Sequence, residues 1–168
     1  NLDSAVGGVN YKIAEKLGLK NPRFFGRSKQ VVDPQTGESV TGGDGVIGEF
    51  EESLAADDLI LLLKKKFDVE CVQTNELLRR EIRSIALCGG SGSFLLKDAI
   101  AAGADAFLTG EMGYHEYFGH EQEIQICVIG HYQSEQFTTE VLRDIIVREC
   151  PGVKCYLSEI NTNPIGYF

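Results

Sequence analysis

The chain has 168 residues, the size of one ordinary domain or of part of a larger protein. A hydrophobic fraction of 43% and a charged fraction of 24% are typical of globular proteins and exclude a disordered or fibrous class. The formal net charge of −9 argues against charge-driven binding to nucleic acid or to membrane surfaces. The longest strongly apolar run, residues 59–63, is too short to cross a bilayer, so we expect a soluble protein.

The cysteines form an odd-numbered set without any C-x-x-C spacing. Most of them lie in apolar, strand-like stretches, so we expect reduced thiols in the core and a cytoplasmic location. The five positions are Cys71, Cys88, Cys127, Cys150 and Cys155.

The first predicted elements are a helix, a hairpin and a second helix. Apolar residues recur every fourth position from Val9 to Leu17 and a glycine follows, which predicts a helix that ends there. The segment KQVVDPQTGESV, residues 29–40, places a proline and a glycine between two extended runs and predicts a hairpin. Residues 54–67 carry a helical apolar stripe followed by lysines, which favour a helix C-terminus.

Strands and helices alternate through the rest of the chain. We predict strands at VECVQ (69–73), SIALC (84–88), DAFLTG (105–110), IQICVIG (124–130) and VKCYL (153–157), and helices at SFLLKDAIAAGA (93–104) and residues 137–146. The run from SIALC to DAFLTG is a β-α-β unit. The fold class is therefore α/β, with mixed sheets because of the hairpin, flanked by helices.

Every histidine has a glutamate four positions away. The pairs are Glu111 with His115, Glu116 with His120, and His131 with Glu135. On a helix this spacing places two metal-binding side chains on one face, but it cannot choose among the three pairs.

Context favours the pair in GHYQSE, residues 130–135. Only His131 directly follows a strongly apolar strand, and only Glu135 is at a predicted helix start, where Ser134 is available as the N-cap. Ligands bind at the carboxyl ends of strands in open α/β sheets. The alternative is structural: His131 caps a strand and Glu135 complements a helix dipole.

Two further segments are open to two interpretations. The glycine loop CGGSGSF, residues 88–94, could bind an anion through its N–H groups or form only a tight strand-to-helix turn. It matches neither G-x-G-x-x-G nor a P-loop. The segment GEMGYHEYFGHE, residues 110–121, is either a polar surface loop or a wall of a site, with His115 as its better candidate.

Five motifs together resemble the YbgI-type, or NIF-three-like, family, whose members are often labelled GTP cyclohydrolase I type 2 homologs. They follow the family's order and span nearly the whole chain. The motifs are NLDSAVGGVN (1–10), CGGSGS (88–93), ADAFLTGEMGYHE (104–116), GHYQSE (130–135) and NTNP (161–164).

The resemblance implies two similar α/β units with two metal ions in the cleft between them, and assembly into a toroidal hexamer. It implies that Asp3, His131 and Glu135 are metal ligands. Residues 1–50 would belong to the first unit, 51–125 to the second, and 126–168 would return to the first.

The chain departs from the family pattern at its amino-terminal side. It resembles the carboxy-terminal two thirds of a family member and has no counterpart of the His-His pair that completes the family's two-metal site. We therefore expect an incomplete metal site, exposed apolar surface and self-association.

The functional hypotheses differ in what the metal does. In the first, two divalent ions (Zn, Mn or Fe) activate a water that hydrolyses a nucleotide or phosphoester-type small molecule, while His115 and Tyr114 orient substrate or transfer protons. In the second, the protein is non-catalytic and handles metal or regulates. In the third, these residues are structural. None of the three involves nucleic acid or membrane as a partner.

Overall fold

The structure is a computed structural model that describes residues 2–34 and 36–167. The helices are α1 (Val9–Leu17), α2 (Ala56–Phe67), α3 (Leu96–Ala101), α4 (His131–Glu135) and α5 (Thr138–Glu149). The strands are β1 (Lys20–Val32), β2 (Ser39–Leu54), β3 (Gln73–Thr74), β4 (Ile82–Cys88), β5 (Ala106–Thr109) and β6 (Gln125–Val128). Two short 3₁₀ segments cover Ser93–Leu95 and Tyr114–Tyr117. Asn1 of the NLD motif and Gln35 of the predicted hairpin turn lie outside the described residues.

The strands form one six-stranded mixed sheet in the order β1-β2-β4-β5-β6-β3. Strands β4, β5 and β6 are parallel neighbours, whereas β1, β2 and β3 join the sheet through antiparallel pairs. The predicted α/β class with a mixed sheet is confirmed. All three predicted segments contribute strands to this sheet, and their division into two units stays a prediction.

Helices α1 and α2 form where the apolar spacing predicts them. Gly18 ends α1 with a φ of 72°, a conformation that glycine adopts without strain, and its N–H bonds the carbonyls of the last turn. Each helix buries one face: Ile13 and Leu17 in α1, and Leu59 and Leu63 in α2.

The core lies on both faces of the sheet because successive strand residues point to opposite sides. In β4, Ile85 and Leu87 pack with α1 and α2 on one face. Ala86 and Cys88 pack on the other face with residues of the β4–β5 connection, including Leu96 of α3. The sheet is thereby held between two helical layers.

Two strand predictions differ from the structure. In VECVQ only Gln73 joins a strand, and VKCYL lies in a segment, residues 151–167, without helix or strand. Alternating hydrophobicity is a local property, whereas a strand also needs a neighbouring edge, and the β6 edge takes only the two residues of β3. The helices predicted after β4 and at residues 137–146 are confirmed as α3 and α5.

The prediction of buried cysteines is right for two of the five. Cys88 and Cys127 are buried, whereas Cys71 and Cys150 are exposed and Cys155 is partly exposed; all five are free thiols. Cys71 and Cys155 lie in the stretches that did not form the predicted strands, so they lack the burial that pairing in the sheet gives, whereas Cys150 directly follows α5. No helix in the described part of the chain is long and apolar enough to cross a bilayer.

Candidate functional site

The candidate site lies at the carboxyl edge of the three parallel strands. The loop after β4 meets the loop after β5 through the Gly90 carbonyl, which accepts hydrogen bonds of 3.0 Å from the N–H groups of Gly110 and Glu111. The loop after β6 joins them, because the Gly130 N–H donates to the Gly110 carbonyl at 3.1 Å. Three segments distant in sequence therefore converge where open α/β sheets bind ligands.

Helix α4 brings His131 and Glu135 together. It begins at His131 itself, so the two side chains are one turn apart on one face, with Nε2 of His131 3.3 Å from Oε2 of Glu135. The helix can begin directly after the strand because Gly130 adopts a φ of 99°, which disfavours other residues.

The prediction that Ser134 is an N-cap is wrong, because the helix starts at His131, four residues earlier than the expected start at Glu135. Ser134 lies inside α4 and is buried. Its hydroxyl donates to the His131 carbonyl at 2.8 Å and accepts from the Gly90 N–H at 2.9 Å. Ser134 thus ties α4 to the glycine loop after β4.

Glu111 is a member of the site that the sequence reasoning missed. Its Oε1 accepts a hydrogen bond of 2.9 Å from Nδ1 of His131, and its other carboxylate oxygen accepts one from the Ser91 hydroxyl. The available signal was its position directly after the predicted strand DAFLTG. Spacing had paired Glu111 with His115 instead.

Two carboxylates flank the His131 imidazole, and their environments differ. The Ser91 hydroxyl and then His131 hold the pKa of Glu111 below its ordinary value. Burial raises the pKa of Glu135, and the charges of Asp3 and Glu111 raise it further against the opposing effect of His131. A cation placed close to Glu135 would act in the opposite direction and lower this pKa.

Asp3 belongs to the electrostatic surroundings of this pair. Its charge contributes to the raised pKa of Glu135, and also to that of Cys88, where burial is the larger cause. The buried Asn10 holds the backbone there: its amide donates to the carbonyls of Asp3 and Asp44 at 3.1 Å each.

Asn10 also reaches the glycine loop, because its side-chain oxygen accepts from the Gly89 N–H at 2.9 Å. Within residues 2–34 and 36–167, however, no three His, Cys, Asp or Glu side chains form a group that could hold a metal ion. The role of Asp3, His131 and Glu135 as ligands stays a prediction.

The His131–Glu135 pair by itself suits one divalent cation. Donors bound to one tetrahedral zinc at about 2.0–2.2 Å lie about 3.3–3.6 Å apart, and the Nε2–Oε2 separation of 3.3 Å is at the short end of that range. A metal-binding histidine also typically donates its other nitrogen to a carboxylate, as His131 does to Glu111. The pair can thus supply two of the donors that a complete site needs.

A cavity of about 630 Å³ opens beside the pair. Helix α4 and the start of α5 form one wall, and residues 158–165 of the C-terminal segment form the other, including part of the NTNP motif. The lining residues are Glu111, His131, Tyr132, Glu135, Gln136, Thr138, Thr139, Ser158, Ile160, Thr162, Asn163, Pro164 and Ile165.

His115 lies in a different place from the one that the sequence suggested. It lines a separate groove of about 400 Å³ with Phe94 and Lys97, and its ring contacts Tyr114. Neither His115 nor Tyr114 lines the cavity beside His131.

The glycine loop after β4 uses its N–H groups within the protein. The amide of Gly89 bonds Asn10, and the amide of Gly90 bonds Ser134. The amide of Gly92 bonds the Thr109 hydroxyl at 3.0 Å. These contacts favour the tight-turn interpretation of the loop over anion binding.

A model of the Duf34/NIF3 (NGG1p interacting factor 3) family matches residues 1–164. The chain belongs to the Duf34/NIF3 family. A Pyrococcus abyssi family protein called "GTP cyclohydrolase 1 type 2 homolog" is 33% identical over 148 residues, or 88% of this chain and 54% of that protein. A Clostridium perfringens protein of the same name is 31% identical over 136 residues, or 80% of this chain and 49% of that protein. The chain thus spans about half the length of these relatives.

Solved structures of two bacterial proteins share the fold. A hypothetical protein from Staphylococcus aureus has a TM-score of 0.84 at 24% identity, covering 100% of this chain and 66% of that chain. A Bacillus cereus protein related to NIF3 has a TM-score of 0.74 at 20% identity, covering 100% of this chain and 72% of that chain. The family resemblance drawn from the five sequence motifs is confirmed.

Proposed function

We propose that this Duf34/NIF3 chain contributes Asp3, His131 and Glu135 to a two-metal centre of a metal-dependent hydrolase. The observation that carries the proposal is the 3.3 Å approach of His131 Nε2 to Glu135 Oε2, with Glu111 bonded to the opposite side of the imidazole. Mixed nitrogen and carboxylate donors suit Zn, Mn or Fe(II). The relatives' name points to attack on a purine ring carbon, and a phosphoester is the other candidate target.

A bound divalent ion lowers the pKa of a coordinated water toward neutrality and so supplies a hydroxide nucleophile. The residues of this chain hold and orient the components. By accepting a hydrogen bond from Nδ1–H, Glu111 leaves the Nε2 lone pair of His131 free to bind the ion. The adjoining cavity holds the small-molecule substrate against α4 and the C-terminal segment.

A second candidate function is non-catalytic metal handling or regulation. It is favoured by the position of the groups expected to orient substrate, because His115 lines another groove and neither His115 nor Tyr114 lines the cavity beside His131. Among the described lining residues of the cavity, no histidine other than His131 is present to transfer protons. Metal would then be bound and released without chemistry on a substrate.

Assembly and location are also part of the proposal. Exposed apolar side chains on α5, at Leu142, Ile146 and Val147, support association between chains, for which a hexamer is the family expectation. The two buried free thiols, Cys88 and Cys127, support a reducing, cytoplasmic setting.

Metal content in matched variants tests the proposal. We expect His131→Ala combined with Glu135→Ala to lose metal in elemental analysis. The control, His120→Ala combined with Glu116→Ala, removes a pair of the same sequence spacing and should retain it. Equal metal content in all three proteins would contradict both candidate functions.

Activity then separates the two candidates. Wild type and the His131/Glu135 variant are screened against nucleotides and phosphoesters. Turnover that disappears together with the metal supports the hydrolase, whereas metal binding without turnover of any substrate supports metal handling.

A further inference from the structure

We propose that Asp44 is a positioning residue of the metal centre: through a hydrogen bond to Ser4 it holds the Asp3 loop, residues 2–8, in place. The inference rests on the proposed function and deepens it, because it says how the chain fixes the ligand Asp3, which is far in sequence from the other two. Asp44 binds no metal in this proposal and acts only through the loop.

Two hydrogen bonds fasten Ser4 to strand β2. Its hydroxyl donates to Oδ1 of Asp44 at 2.9 Å, and its carbonyl accepts from the Gly43 N–H at 3.1 Å. The two segments can approach this closely because position 42 is a glycine: a Cβ there would lie 2.6 Å from the Ser4 carbonyl oxygen. The residue directly after Asp3 is therefore held by its side chain and by its backbone.

Asp44 is itself anchored in the core of the sheet. It lies in β2, and its backbone carbonyl accepts from the Asn10 amide and from the Cys88 thiol, at 3.1 Å each. The same Asn10 amide donates to the Asp3 carbonyl at 3.1 Å. Asp3 is thus held by its own carbonyl through Asn10 and by the next residue through Asp44.

The Asp3 carboxylate stays unengaged although the backbone around it is held. Within residues 2–34 and 36–167, no hydrogen bond or ion pair uses it. It is nevertheless close to the site: burial is the main cause of the raised pKa of Glu135 and of Cys88, and the Asp3 charge adds to both. A fixed backbone that presents an unengaged side chain suits a metal ligand, whose affinity depends on the groups that orient it.

Charge alone is the competing explanation for any effect of Asp44. Its carboxylate adds, after burial, to the raised pKa of Cys88, and its Oδ2 lies 4.0 Å from the amine of the exposed Lys29. A carboxylate near the site would attract a cation whether or not it held the loop. The two explanations separate at Asp44→Asn, which removes the charge and keeps an oxygen that can accept from Ser4.

Zinc affinity of the full chain, measured by competition with a chromogenic chelator, is the test. Asp44→Ala and Ser4→Ala remove the same hydrogen bond from its two sides, and Asp44→Asn keeps the acceptor. Glu49→Ala is the matched control for charge, because it removes a carboxylate of β2 that is 40% exposed, against 33% for that of Asp44. Urea unfolding of each metal-free variant reports its stability separately.

We expect Asp44→Ala and Ser4→Ala each to bind zinc about tenfold more weakly, because each releases the same loop. The double variant should lose no more than about twofold beyond either single variant, since the two changes remove one interaction. Asp44→Asn and Glu49→Ala should stay within about twofold of wild type. In the metal-free chain, hydrogen exchange of residues 2–9 should become faster in the alanine variants of Asp44 and Ser4 and not in the other two.

Two results would overturn the inference. An affinity in Asp44→Asn as low as in Asp44→Ala would assign the effect to charge, and wild-type affinity in both Asp44→Ala and Ser4→Ala would remove the effect itself. His131→Ala combined with Glu135→Ala, measured in the same way, keeps this failure distinct from that of the proposed function. If that variant loses zinc while the Asp44 and Ser4 variants retain it, only the positioning role fails; if it retains zinc as wild type does, the metal centre fails and the positioning role with it.

Discussion

Nδ1 of His131 lies 2.9 Å from Oε1 of Glu111, although the two residues are 20 positions apart in the chain. They meet because β5 and β6 are parallel neighbours and the loops after them leave the sheet at the same edge. The contact orients the imidazole so that its other nitrogen faces Glu135. The orientation of the His131 imidazole therefore depends on a residue outside the GHYQSE motif.

Replacing Glu111 tests that dependence. Glu111→Gln keeps an oxygen that can accept a hydrogen bond from Nδ1–H but removes the charge, so we expect zinc affinity to fall by about tenfold. Glu111→Ala also removes the hydrogen bond and should lower zinc affinity by about a hundredfold. Competition with a chromogenic chelator measures the affinity. Glu52→Gln, an exposed site on β2, should leave it unchanged; equal affinities in all four proteins would show that Glu111 has no part in binding.

Gly90 and Gly103 form a matched pair for a second test. Both have positive φ, 63° and 74°, so alanine should cost each about 1–2 kcal/mol of stability. Only at Gly90 would the added Cβ meet the site, 2.4 Å from Oε1 of Glu135, whereas nothing lies near it at Gly103. We expect zinc affinity to fall in Gly90→Ala alone. The prediction fails if both variants bind zinc as wild type does.

Asn10 is predicted to be a stability determinant. Asn10→Leu removes the partners of the Asp3 and Asp44 carbonyls and of the Gly89 amide in a buried setting. We expect a loss of about 2–4 kcal/mol in urea unfolding. Glu15→Ala, on the exposed face of the same helix, should cost less than about 0.5 kcal/mol. Similar losses in both variants would contradict a special role for Asn10.

Asp105 makes stability depend on pH. Burial would raise its pKa, but the amides of Ser84 and Arg83, with the Arg80 guanidinium and the Ser84 hydroxyl, outweigh it and lower the pKa below the ordinary value. A lowered folded-state pKa contributes stability above the unfolded-state pKa, and that contribution is lost as pH falls through the folded-state value.

We therefore expect urea midpoints of wild type to fall below about pH 5. Asp105→Asn should be less stable by about 2 kcal/mol at pH 7. Its urea midpoint should also decrease less than that of wild type as the pH is lowered. Glu81→Gln, an exposed neighbour, is the control and should follow wild type. If the urea midpoint of Asp105→Asn decreased with falling pH as steeply as that of wild type, the pH dependence would come from other carboxyl groups.

Thiol reactivity should follow burial. Burial raises the pKa of Cys88 and of Cys127 to about 12, so neither forms appreciable thiolate at neutral pH. We expect iodoacetamide to label the exposed Cys71 and Cys150 in the folded chain, as mapped by mass spectrometry. Cys88 and Cys127 should react only in urea, and their rapid labelling in the native protein would contradict this packing.

The sequence alone determined the fold class, the family and most helices. Those features follow from local periodicity, as in the apolar spacing that ends at Gly18, and from motif order along the chain. Periodicity failed at VKCYL because a strand also needs a partner edge, which local sequence does not specify. The same limit applies to Cys71 and Cys155, which remain exposed or partly exposed because the strand pairing predicted around them did not occur.

Only the tertiary structure decided which groups surround His131. Spacing offered three equivalent histidine–glutamate pairs and joined Glu111 to His115, whereas the order of the parallel strands joins Glu111 to His131. The tertiary structure also places His115 in another groove and brings the C-terminal segment to the wall of the cavity beside His131. Contacts at the edge of a sheet are set by the order of its strands. The hydrophobic periodicity of a single sequence does not reveal that order.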